Sequence, residues 1–392
     1  MVMSEQATTA WVRQVMTAFA ERTGLVGGST PTRYLWTDAF AVCNFLELEG
    51  RTGDGRYRAL ALRLVDQVHR VLGRHRADDP RTGWISGLRE EDGATHPTLG
   101  GLRIGKPLNE RRPDEPLDDR LEWDRDGQYF HYLTQWMHAL ARVGRVTNDP
   151  RYVRWALELA GTAHDRFTAS PTAGGRGRLW WKMSIDLSRP LVDAMGQHDP
   201  LDGLITLVEL HAAAQAVGEP VPVDFAARTA HLGALAEGAR LATADPLGIG
   251  GLLIAAHRLA RLAAAGAAGY ADWLETLLDQ AWPGLAYLAA NREVLAMPPA
   301  DRLAFRELGL AIGLRAVQRT QALLGEHPAV FAAIPALGAR LERLQCHAPL
   351  IETIERFWLE PANRAVETWK EHENINAVML ATSLAPDGYL AL

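Results

Sequence analysis

An all-α fold of paired helices, closed into an (α/α)6 toroid, is the architecture this sequence predicts, and three observations predict it. Strand signals are almost absent from the chain. Apolar residues recur at three-and-four spacing nearly everywhere, the period of a helix with one buried face. A connection between helices also repeats: GRTGDGRY (50–57) is echoed by GRVTNDPRY (144–152) with one inserted residue, and a fixed echo of this kind marks a repeat architecture.

Each element follows from its residues. A first helix over 10–22 has no inner partner before it. Residues 35–48 are apolar on nearly all sides, as a helix buried all round should be. Over 57–72, Tyr57, Leu60, Ala61, Leu64, Val68 and Leu72 form one face, while Arg58, Arg63, Asp66 and Arg70 lie largely off it. That is an outer, one-sided helix. The second pair is 128–143 and 152–167, the latter with Tyr152, Ala156, Leu159, Ala160, Ala163 and Phe167 on one side. The triplet DPL opens the third pair at 199 and the fourth at 245. Asp caps free N–H groups and Pro suits a first turn. Outer partners follow over 225–241 and, after an inner helix at 250–265, over 270–290. A fifth pair covers 301–324 and 328–344. The last helix, 374–384, is apolar nearly all round and has no outer partner after it, so it and the first helix close the ring. Residues 349–372 are an extra helical insertion in this scheme. The chain, 1–392, reads as one domain; an open helical solenoid is the alternative.

Composition narrows the partners. Hydrophobic residues make up 47% of the chain, enough for a large core. A net charge of -6 makes a nucleic-acid backbone a poor partner. Cys43 and Cys346 lie far apart with no metal-ligand spacing. The first helix mixes acids with apolar residues, unlike a leader or a span. The expectation is a soluble cytoplasmic protein with no membrane partner, no cofactor and no metal, its oligomeric state left open.

Two long connections break the hairpin rhythm, 73–127 and 168–197. Loops of this length inside a compact domain are usually functional or disordered, and Trp84, Trp123, Trp180 and Trp181 argue for order. Both lead into the starts of inner helices. In a ring of hairpins every inner helix points the same way, so their N-termini share one mouth. That reasoning gathers Trp36, Asp38, Asp126, Tyr129, His131, His198, Asp199, Asp202, His372 and Glu373. The stretch 118–143 (DDRLEWDRDGQYFHYLTQWMHALARV) is the centre of the arrangement, an acid- and aromatic-rich loop running into a helix.

The layout resembles the six-hairpin glycosidase superfamily. YLWTDAF (34–40) looks like the Trp-x-Asp region of unsaturated-uronide hydrolases, although Ala39 stands where a further Asp would follow. The TNDPRY loop looks like the sugar 2-epimerase branch of the same architecture. That branch works with two histidines, and the resemblance implies His198 and His372 as their counterparts.

The residues make a carbohydrate case of their own. Sugar rings present apolar faces to aromatic side chains and hydroxyls to charged ones. Glycosidic cleavage takes one carboxylic acid and one carboxylate, about 5–5.5 Å apart for retention and about 6.5–9.5 Å for inversion. Asp38, Asp126, Asp199 and Glu373 are available for those roles. Trp36, Arg111, Arg120, Trp123, Tyr129, His131, Trp180, Trp181 and Lys182 are the candidate substrate contacts. The leading expectation is a glycoside hydrolase acting on a small-molecule carbohydrate. Alternatives are a sugar epimerase or isomerase using His198 and His372, and a sugar-binding toroid without chemistry. A lyase on an acidic sugar would use Arg111, Arg120 and Lys182 as anchors. Plainer roles compete with these: Asp199 and Asp245 as helix caps, His131 and His138 as interhelix contacts. AGGRGR (173–178) lacks the Lys-Ser/Thr of a phosphate loop.

Overall fold

Burial separates the two kinds of helix that periodicity predicts. In the computed structural model, which describes residues 4–169, 177–267, 269–291, 293–334 and 336–392, the helix Leu35–Thr52 buries almost every position of its first three turns. Arg56–Leu72 instead buries one stripe, Tyr57, Ala61, Leu64, Val65, Val68, His69 and Leu72. The chain divides into two compact units, 20–46 with 54–239, and 1–19 with 47–53 and 240–392.

In the first of these, Phe130–Thr147 packs on both Pro150–Phe167 and Asp199–Val217, and the last of these packs on Phe225–Ala236. The repeated connection is a repeated device. Gly53 (φ 67) and Asn148 (φ 52) each turn the chain through the left-handed region. Asp54 then accepts from the Arg56 N–H at 3.1 Å, and Asp149 from the Arg151 N–H at 3.0 Å. Both satisfy a donor that the next helix leaves open. The helix expected over 225–241 stops at Ala236, and Gly238 (φ 69) turns the chain away soon after.

The long connections are ordered by small elements that the sequence did not announce. Residues 73–127 carry two short helices, Glu90–Thr95 and Asp119–Asp124. Gln128–Tyr129, Lys182–Met183 and Pro190–Val192 form a three-stranded antiparallel sheet, and Thr168–Ala169 pairs with Arg178–Leu179. Strands of two or three residues show no alternation, so no pattern foretells them.

In the other unit, Pro246–Ala264 lies against Ala304–Glu326 at backbone contact. A Cβ on Gly250 would stand 2.1 Å from the Gly309 carbonyl oxygen, and one on Gly313 would stand 2.6 Å from the Gly250 Cα. Only glycine permits that crossing. Pro246–Ala264 is long and apolar enough to cross a membrane, and 61% of its apolar window is buried inside the chain. Ala304–Glu326 also packs against Leu337–Gln345, Pro349–Leu359 and Glu373–Leu384. One expectation changes here. The helix foreseen over 328–344 comes as Pro328–Phe331 and Leu337–Gln345. The insertion expected over 349–372 is helical at Pro349–Leu359 and Glu367–Lys370, and it is part of the core: Pro349–Leu359 buries Ile351, Ile354 and Trp358, and the Trp358 indole N–H donates to Glu307 at 2.8 Å.

Candidate functional site

The starts of three helices meet in the unit 20–46 with 54–239. Tyr34, just before Leu35–Thr52, meets Tyr132 of Phe130–Thr147 hydroxyl to hydroxyl at 2.7 Å. His131, on that second helix, faces Asp199 at the head of Asp199–Val217, with Nδ1 3.7 Å from the carboxyl Oδ1. Among the described residues His131 Nδ1 and Asp199 Oδ2 are buried with no hydrogen-bond partner, and the same holds for the Tyr129 hydroxyl. Buried polar atoms are nearly always satisfied, so three orphans on adjoining residues are open to a water or a bound group.

Asp199 shows what its surroundings do to an acid. Its side chain is 6% exposed. Burial, then the nearby Asp202 charge, push its carboxyl well above the usual carboxylate range, against a hydrogen bond from the Gly196 backbone N–H. Gly196 leaves room for it: a Cβ there would come within 2.3 Å of the Asp199 carboxyl carbon. His131 shifts the opposite way, lowered to about 4 by burial, although 30% of its side chain is exposed. Since Nδ1 itself is sealed, solvent reaches the ring from another edge.

Aromatic rings connect this pair to the surface. The Tyr129 ring stacks on His131 at 5.6 Å and on Trp181 at 5.0 Å between centroids. Trp123 meets Trp181 edge-on at 5.6 Å and is 57% exposed. Trp180 turns elsewhere, with the Arg178 guanidinium 4.2 Å from its ring centre.

Several expected site residues are engaged by the chain itself. Asp126 is completely buried. It accepts from Arg103, from Arg76 at 3.4 Å, and from the Gly105 and Gly127 backbone N–H groups at 3.0 and 3.1 Å. Asp38 accepts from the Tyr34 backbone N–H at 3.0 Å and from Arg33 at 3.4 Å, while burial lifts its carboxyl to about 6. Trp36 is nearly buried and packs on Phe40. Lys182 is wholly buried, and its ammonium donates to the Glu122 carbonyl (2.7 Å), the Glu122 carboxylate (2.8 Å) and the Arg125 carbonyl (2.9 Å). Three donors with three protein acceptors leave none for a substrate. Arg111 is half-buried and gives three of its five N–H donors to Glu122, the Glu115 carbonyl and the Leu191 carbonyl. Of the three anchors expected for an acidic sugar, Arg120 alone lies exposed. His198 is the N-cap residue of Asp199–Val217 and half-buried.

His372 and Glu373 belong to the other unit. Both are exposed at the start of Glu373–Leu384, and His372 meets Phe305 edge-on at 5.6 Å. Asp245, in that unit too, caps the Gly248 N–H at 3.2 Å and pairs with Arg306 at 2.8 Å, the plain role foreseen for it. Residues 173–176 of the AGGRGR loop lie outside the described residues. Among the described residues no group of three or more His, Cys, Asp or Glu side chains is arranged to hold a metal.

Sequence reasoning missed the supports. Gln128, fully buried, donates to the carbonyls of Gly100 (2.9 Å) and Ile185 (2.7 Å) and accepts from the Leu102 N–H (2.8 Å), joining both long connections to the helix start. Arg103, Arg76 and Glu122 act likewise. A lone amide or arginine in a long loop carries no pattern that reveals its partner.

No family model matches this sequence, and no curated protein matches it. Solved structures do. The GH76 α-mannanase of Bacteroides thetaiotaomicron is similar over 97% of this chain and 96% of its own, with 9% identity and a TM-score of 0.56. The GH76A α-1,6-mannanase of Salegentibacter sp. HEL1_6 is similar over 97% and 99%, with 12% identity and a TM-score of 0.51. A cellobiose 2-epimerase from Spirochaeta thermophila aligns over 96% and 97% with 13% identity, but its TM-score is 0.47. The chain shares the all-α fold of these two mannanases.

Proposed function

We propose that this chain is a carbohydrate-active enzyme that cleaves glycosidic bonds, with Asp199 as the proton donor. The observation that carries this reading is the Asp199 carboxyl: buried, raised, and with an oxygen that accepts from no other group among the described residues. Glycoside cleavage needs a carboxylic acid that still holds its proton near neutral pH, beside a carboxylate that does not. Asp202 lies one turn further along the same helix face and raises Asp199 by its charge. In this reading Asp199 gives its proton to the leaving oxygen, and Asp202 activates water or takes the sugar carbon. The similarity to two mannanases of the same fold supports a sugar substrate.

His131 supports a second reading. It is neutral at pH 7 and 3.7 Å from the acid. One group that holds a proton beside one that accepts it could shift hydrogen next to a sugar carbonyl, as an epimerase or isomerase must. A sugar-binding protein without chemistry is the plainest alternative; the unpaired polar atoms serve it equally, and the raised Asp199 carboxyl is what favours an enzyme.

The test is turnover by the purified chain on a panel of α-1,6-mannotetraose, other neutral oligosaccharides and free sugars. Asp199→Asn should lower cleavage by about 10²- to 10⁴-fold with the fold retained; full activity would remove Asp199 from the mechanism. His131→Ala should abolish an isomerisation but only weaken a hydrolysis. Binding without turnover across the whole panel would favour the non-catalytic reading.

A further inference from the structure

We infer that Trp123 forms an outer subsite for a second, uncharged sugar residue, so that the substrate is a neutral oligosaccharide rather than a monosaccharide or an acidic sugar. The inference rests on the sugar-processing reading above and specifies its substrate.

The geometry begins with a ring that has no reason to be outside. Large aromatic side chains carry about 150–250 Å² of surface that is costly to leave in water, and Trp123 is 57% exposed. It is not a stray side chain on a loose loop. It sits in the short helix Asp119–Asp124, whose N-cap Asp118 accepts from the Arg120 and Leu121 N–H groups at 3.0 Å each. One residue earlier, Glu122 is locked to Lys182. The ring meets Trp181 at an interplanar angle of 65° and still keeps more than half of its surface in solvent.

Trp123 is continuous with the buried pair. From it the rings of Trp181, Tyr129 and His131 follow at 5.6, 5.0 and 5.6 Å. Tyr129 stacks with both Trp181 and His131 and is buried, so its ring is not open to a sugar. Trp123 is the exposed member of the row, with Trp181 and His131 half-buried and Tyr129 buried. A sugar resting there, joined to one whose glycosidic bond lies at Asp199, would have to be part of a chain.

Charge selects the kind of sugar. On the Trp123 helix Asp118, Asp119 and Asp124 are exposed, against two cations, Arg120 beside them and Lys106, whose ammonium feels the Asp124 charge. Lys182, which could have received a carboxylate or sulfate, is spent on Glu122 and backbone carbonyls, and Arg111 is held by Glu122 and two carbonyls. An anionic ring would meet net repulsion, whereas hydroxyl groups would find carboxylate acceptors.

The experiment measures affinity by calorimetry for neutral manno-, gluco- and xylo-oligosaccharides of one to four residues, using the whole chain and Trp123→Ala and Trp123→Phe variants. Affinity should rise from one residue to two or more in at least one series. Trp123→Ala should remove about five- to tenfold of that gain, leave the monosaccharide affinity unchanged, and be partly rescued by Trp123→Phe. A uronic-acid oligomer of equal length should bind more weakly than its neutral counterpart. If a monosaccharide binds as tightly as a tetrasaccharide, or Trp123→Ala changes nothing, the outer subsite is overturned while the Asp199 site stands. If no sugar binds at all, the site reading and this subsite fall together.

Discussion

His131 Nδ1 stands 3.7 Å from Asp199 Oδ1, too far for a hydrogen bond, with the histidine lowered and the acid raised by their burial. The two shifts act on stability in opposite directions. Burial favours the protonated Asp199, so the folded chain keeps a proton that the unfolded chain, with a value near about 3.9, has released. Stability contributed there falls as pH climbs from about 4 through the raised value. Asparagine cannot titrate. Asp199→Asn should therefore gain on the parent chain in urea midpoint as pH goes from 4 to 8, even as it loses activity. Equal midpoint differences at both pH values would contradict the shift.

For His131 the neutral form is the folded one. The unfolded imidazole takes its proton near about 6.5, the folded one only at about 4. The stability it contributes is present above about 6.5 and is lost as pH falls toward 4. His131→Gln should flatten that part of the pH–stability curve, as followed by circular dichroism.

Gly196 has a carboxyl for a neighbour and not a wall. With the added methyl carbon of Gly196→Ala 2.3 Å from the Asp199 carboxyl carbon, the acid must swing aside. The expected result is a loss of kcat out of proportion to stability, which should change by less than about 1–2 kcal/mol because the affected group can move. Unchanged kcat would mean that the position of Asp199 is not used.

Asp126 answers for the loop. Its removal strands Arg103 in the interior, and breaking a buried pair from one side costs about 3–5 kcal/mol. Asp126→Asn should lower the unfolding free energy by that order in urea titration. A stable, inactive variant would instead put Asp126 back among the reacting groups.

Much of the helical frame was legible because it depends on local rules. The bands of apolar residues located Leu35–Thr52 and Arg56–Leu72 to within a few residues, and Asp-Pro-Leu marked the starts of Asp199–Val217 and Pro246–Ala264. The site was legible only in part. Asp199 and His131 could be named because each stands at a helix start. That Asp126 would be consumed by Arg103 and Arg76, 23 and 50 residues away, could not be read, since no spacing encodes a contact across an irregular loop. Lys182 was misjudged for the same reason: a lysine in a loop looks solvent-facing until its three acceptors are known.

That lysine gives the molecule a built-in reporter. The chain has only three lysines, Lys106, Lys182 and Lys370. Lys370 lies at the surface, whereas Lys182 is sealed beneath the helix Asp119–Asp124. An amine-reactive reagent should tag Lys370 at once and reach Lys182 only when that helix lifts. The mass shift at position 182 would then time the opening of the segment that carries Trp123, without any engineered label.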